Sequence, residues 1–141
     1  MSVTEFGARA LQGGFTCAIY RDNEILKSKK RGVAPLVEWL ESGKIFCGFS
    51  AVDKVVGKAA AYLYVLLGVE KVYALVISEG AAEVFTRFGI AYLYEEKVSA
   101  IRNRTDTGFC PMEQAVWDID DPQAAYDAVK QTLEKWRGES K

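Results

Sequence analysis

The chain has 141 residues, 18 basic against 19 acidic side chains, a net charge of −1 and no histidine. Half of its residues are apolar and 12% are aromatic, which is enough for one cored domain spanning 1–141 and excludes disorder. The charge balance gives no drive toward nucleic acid or an anionic membrane, and the missing histidine excludes Ser-His-Asp triads, Cys-His dyads and His-ligated metals.

In chain order, Val3 to Leu11 reads as a short helix stopped by Gly13 and Gly14, and Phe15 to Tyr20 as a strand. Asp22-Asn23 is a turn, from which Glu24 to Ser28 returns as the second strand of a hairpin. Lys27, Lys29, Lys30 and Arg31 form a solvated edge. Pro35 to Glu41 is a helix with Pro at its first turn. Ile45 to Val52 is a third strand, and Asp53 to Leu67 a very apolar helix ended by Gly68. Lys71 to Ser78 is a near-continuous apolar run, hence a buried strand. Glu79 to Phe88 is a helix with Gly89 as its C-terminal stop, and Ile90 to Tyr94 a fifth strand. Val98 to Arg102 starts another helix, followed by a polar loop, a short helix at Pro111 to Trp117, and a last helix opened by Asp121-Pro122. The apolar face of that last helix is Ala125, Tyr126, Val129, Leu133 and Trp136. Strands and helices alternate from Ile45 to Tyr94 with short connections, which predicts parallel pairing and an α/β/α three-layer sandwich on a five-stranded mixed sheet.

The N-terminal MSVTEFGARALQGG lacks a secretory pattern, and the longest apolar run, Ala59 to Gly68, is about half of what spans a bilayer. Three widely spaced cysteines, Cys17, Cys47 and Cys110, suit a reducing, cytoplasmic compartment better than a disulfide framework or zinc ribbon. Cys17 and Cys47 fall on predicted strands and should be buried.

Ligands of open α/β sheets sit beyond the carboxyl ends of parallel strands. Two such corners are expected, Ser50 to Asp53 and Ser78 to Gly80, both entering helices. Lys54 and Lys58 lie four apart on the predicted helix, so they either meet a carboxylate such as Asp53, Glu79 or Glu113, snorkel to water, or meet a ligand anion. Cys110 precedes Pro111 and lies three residues before Glu113, so it occupies an N-cap position with half of a capping box. A thiol there would have its thiolate favoured. Asn103, Arg104 and Thr105 crowd donors and acceptors into the preceding loop.

DKVVGKAAA at the first corner, VISEG at the second and NRTDTGFCPMEQAV near the C-terminus resemble a small bacterial family of unknown function placed with the cytidine deaminase-like fold. The resemblance runs from Phe15 to Leu133 and implies that fold and the oligomeric habit of such domains, with no activity attached. Zinc deaminases carry H-x-E or C-x-E and P-C-x-x-C at these two corners. Here the corners read Asp53-Lys54-Val55 and Ser78-Glu79-Gly80, so zinc-dependent deamination is not expected, nor is any metal or cofactor.

The resulting expectation is a domain that binds a small anionic, nucleotide-like metabolite. Lys54 and Lys58 meet the anion, Ser78 and Glu79 line the second corner, and Asn103, Arg104 and Thr105 position the ligand. Asp53 and Glu79 orient the lysines or take a proton. The alternatives are an enzyme with Cys110 as nucleophile and Glu113 or Asp53 as proton acceptor, and a non-enzymatic scaffold domain. Tyr92 and Tyr94 on one face of the last strand suit a homo-oligomer interface.

Overall fold

The computed structural model describes residues 11–30, 32–101 and 110–139, together with Arg9. Five strands form one mixed sheet: β1 (Cys17–Arg21), β2 (Glu24–Ser28), β3 (Ser50–Val56), β4 (Lys71–Ser78) and β5 (Ala91–Val98), in the order β2-β1-β3-β4-β5. β1 is antiparallel to both β2 and β3, while β3, β4 and β5 run parallel. The helices are α1 (Ala34–Glu41), α2 (Lys58–Leu67), α3 (Glu79–Phe88), α4 (Pro111–Ala115) and α5 (Pro122–Glu139). None of them is long and apolar enough to cross a membrane.

The main core lies on one face of the sheet. Ile19, Ala51, Val72, Ala74 and Ile77 point from the strands toward α1, α2, α3 and α5. α2 is the hub, packing on α1, α3, α4 and α5, and Ala59 to Tyr64 are all buried. No charged side chain interrupts Ala59 to Leu67, which is why this helix tolerates cover on nearly every side. Gly68 and Gly89 close α2 and α3 in the left-handed region, as C-terminal stops require. The alternate residues of the same strands, Val52 and Tyr73, meet Leu11 on the opposite face, with Phe15, Tyr20 and Leu75 at the edges of that smaller cluster.

Several sequence boundaries move. Residues 45–49 are not strand, and Cys47 sits exposed in that connection rather than buried. β3 extends through Val56, and α2 begins at Lys58 rather than at Asp53, with Gly57 as its N-cap. Two β-branched valines, Val55 and Val56, carry the strand past the point where Asp53 imitates a helix cap. Lys54 and Lys58 therefore stand on different elements and share no helix face. β5 continues through the charged residues Glu95, Glu96 and Lys97, because an edge strand has a solvated side. Val98 ends β5 and residues 99–101 are non-helical, so the helix expected from Val98 does not start there; Arg102 lies outside the described residues. Tyr92 packs on Phe85 of α3 and stacks with Tyr94, while Leu93 and Tyr94 stay exposed. Asp121 accepts a hydrogen bond from the Ala124 amide at 2.8 Å, the cap expected at the start of α5. The helix expected over Val3 to Leu11 lies largely outside the described residues.

Candidate functional site

A cavity of about 290 Å³ opens where β3 gives way to α2, at the carboxyl end of a parallel strand. Its walls include Asp53, Lys54 and Val55 of β3, Gly57, Ala59 and Ala60 at the head of α2, and Ile101, Cys110, Met112 and Glu113 from the α4 side. Two of these side chains are acids buried to more than nine-tenths, Asp53 at 7% exposure and Glu113 at 5%.

Glu113 reaches across to a helix 55 residues away in sequence. Its Oε1 and Oε2 accept from the backbone N–H of Lys58 at 2.7 and 3.0 Å. The first amides of a helix have no partner within it, and their partial positive charge suits a carboxylate. Glu113 therefore does for α2 what the expected capping box would have done for α4. Gly57 makes this approach possible, since a Cβ there would stand 1.5 Å from Glu113 Oε1. Burial still raises the proton affinity of Glu113 above the usual glutamate range, and the Lys58 and Ala59 amides and the Lys58 ammonium work in the opposite direction.

Asp53 is held from the other side. Its Oδ2 accepts from the Tyr64 hydroxyl at 2.7 Å and its Oδ1 from the Val55 amide at 3.4 Å. Cys17 is its direct cross-strand partner on β1. Desolvation outweighs these hydrogen bonds and pushes the Asp53 carboxyl up to about 7. The same burial, with Asp53 beside them, pushes the Cys17 thiol and the Tyr64 hydroxyl well up.

The other expected site residues separate into three groups. Lys54 lines the cavity and is exposed. Lys58 does not line it. Its stem runs along Gly80 of α3 and its Nζ donates to the Trp117 carbonyl at 3.0 Å, while Glu113, one of the expected carboxylates, attracts the ammonium electrostatically. Ser78 is spent as the N-cap of α3, accepting from the Ala81 amide at 3.0 Å, and Glu79 faces a separate groove with Glu83, Arg87 and Lys97. The second corner is thus not part of this cavity. Asn103, Arg104 and Thr105 lie outside the described residues. Cys110 is the N-cap residue of α4, half-buried, and its thiol makes no capping bond. Among the described residues no group of three or more Cys, Asp or Glu side chains comes together to hold a metal. Tyr64, which reads as ordinary core in the sequence, is the residue that sequence reasoning missed.

The thiols should separate by access. Iodoacetamide at neutral pH should label Cys47 first, Cys110 more slowly and Cys17 only on unfolding, as mapped by peptide mass. Labelling of Cys17 ahead of Cys110 in the folded protein would contradict this placement.

Residues 9–133 match a domain of unknown function (DUF1893), so the chain belongs to that family. A crystal structure of a DUF1893 family protein, TM1506 from Thermotoga maritima, is similar at 26% identity over 94% of this chain and 89% of that one, with a TM-score of 0.82. No curated protein matches the chain.

Proposed function

We propose that this domain binds a small nucleotide-like metabolite, with a ring-sized body inside the β3–α2–α4 cavity and an anionic end at Lys54. The observation that carries this reading is the placement of two buried acids, Asp53 and Glu113, on the wall of one cavity beyond a parallel strand. A buried carboxylate costs stability, and strongly perturbed acids in a cleft mark functional positions more often than packing does. The volume is near the lower limit for small-molecule sites, which suits one ring and a substituent. Free thiols at Cys17, Cys47 and Cys110 support a cytoplasmic setting. The strand order, and an apolar cluster on the sheet face opposite the main core, support the cytidine deaminase-like three-layer arrangement.

A thermal-shift screen of nucleotides and sugar phosphates tests the reading. At about 100 times its dissociation constant, a true ligand adds about 2.7 kcal/mol, a rise of several degrees. Lys54→Met should fold normally, because Lys54 is exposed, and should lose most of that rise. A rise unchanged in Lys54→Met would remove the anion from that position.

One observation favours a second reading. Cys110 shares the cavity with Asp53 and Glu113, the arrangement a cysteine nucleophile with a nearby proton acceptor requires. Protection of Cys110 from alkylation by a stabilising compound, with release of a modified product, would favour catalysis over simple binding.

A further inference from the structure

We infer that the buried half of this ligand is a planar, hydrogen-bond-donating nitrogen group of the amidine or aminated-ring type. The inference rests on the cavity being a binding site, as proposed above, and adds the chemistry that its interior selects.

Among the described lining residues, the buried polar side chains are acceptors. An ionised carboxylate has about four acceptor positions. Asp53 spends three, on the Tyr64 hydroxyl, the distant Val55 amide and the Lys54 amide, which leaves one. Both oxygens of Glu113 accept from the Lys58 amide, and the Ala59 amide bonds the same carboxylate. Acceptor capacity is therefore left on each acid, and each lines the cavity. The surfaces between them, from Val33, Ala59, Ala60, Ile101 and Met112, are apolar and suit the faces of a flat ring. Among the described lining residues the one ammonium is that of Lys54, which is exposed. An anion driven inward would meet two carboxylates, so it is confined to the Lys54 end. A planar donor group meets the carboxylates in the forked geometry that makes charge-assisted pairs strong.

The groups facing the two acids fix the sign of the pH dependence. Cys17 of β1 and Tyr64 of α2 face Asp53, and both stay protonated near neutrality; the backbone amide and ammonium of Lys58 act on Glu113. A cationic donor thus binds more tightly as Asp53 loses its proton, through pH 6 to 8.

Benzamidine and benzoate, flat rings of nearly equal size and opposite charge, separate the possibilities. Thermal shifts of the full chain at pH 6 and pH 8 should show benzamidine stabilising the protein, more strongly at pH 8, with benzoate inactive at the same concentration. Asp53→Asn should weaken benzamidine about tenfold and flatten its pH dependence, and Glu113→Gln should weaken it in the same direction. Circular dichroism confirms that the variants fold. Benzoate binding as tightly as benzamidine, or benzamidine binding unaltered in both variants, would overturn the inference. Benzoate binding alone would leave the cavity standing as a binding site. Benzamidine binding with no response to any nucleotide or sugar phosphate would instead sink the anionic end of the proposed function.

Discussion

Gly57→Ala should destabilise the protein by about 3 kcal/mol, a fall in Tm of about 10 °C. The backbone at Gly57 is extended, with φ −98° and ψ −177°, so alanine brings no conformational strain. The whole effect arises from the added Cβ, which would stand 1.5 Å from Glu113 Oε1, 2.5 Å from its Cδ and 3.0 Å from Ile101 Cγ1. Glu113 must then swing away, leaving the Lys58 amide uncapped and a carboxylate displaced from the amides of Lys58 and Ala59. A double-mutant cycle isolates this cause: Gly57→Ala should cost much less in a Glu113→Ala background, because the clash and the lost bonds share one side chain. Gly80→Ala is the control, since its added carbon meets the Lys58 stem at an ordinary 3.5 Å. Equal costs for Gly57→Ala with and without Glu113 would show that Glu113 does not sit over the head of α2.

Asp53→Asn should raise stability above neutral pH, on the order of 2–4 kcal/mol at pH 8. The native carboxyl titrates near 7, against an ordinary value of 3.8. Between those values the native state holds a proton that the unfolded state has released, so stability falls as pH rises through that window and levels off above 7. Asparagine keeps an acceptor for the Tyr64 hydroxyl and carries no charge, so the variant should lose that decline. Glu113, raised in the same direction, leaves a smaller slope of the same sign. Urea titrations at pH 4.5, 6 and 8 check the prediction. A wild type that gains stability over this range, or a variant less stable than wild type at pH 8, would contradict it.

Elements with a strong local signal were legible in the sequence. The apolar run Lys71–Ser78, the helix Glu79–Phe88 with its glycine stop, the hairpin around Asp22-Asn23 and the Asp121-Pro122 helix start all agree with the structure. Each is fixed by residues within a few positions of one another. The β3–α2 junction was misplaced because Asp53, Lys54 and Gly57 carry local signals that tertiary pairing overrides. β3 is pinned by β1 on one side and β4 on the other, which keeps Asp53 in the sheet.

The site shows the same division. Asp53, Lys54, Cys110 and Glu113 could be singled out by residue type and position at predicted helix starts, and all four line the cavity. The partnerships could not be read, because Glu113 with the head of α2 and Asp53 with Tyr64 depend on how separate elements pack. The Cys110-Pro111 start did signal a helix head with an acid at its third position, yet nothing local reveals that the acid serves a different helix. Lys58 was singled out for its charge on an apolar helix, and the Trp117 carbonyl together with the Glu113 carboxylate answers that charge.

Asp53 and Glu113 are buried acids on the wall of one cavity. Carbon-detected NMR of the side-chain carboxyls across pH 3 to 9, assigned with Asp53→Asn and Glu113→Gln, measures this directly. The Asp53 resonance should titrate near 7 and the Glu113 resonance above the ordinary glutamate range, and both should shift when benzamidine is added. Ordinary carboxylate titrations for both residues, with neither resonance moved by benzamidine, would contradict it.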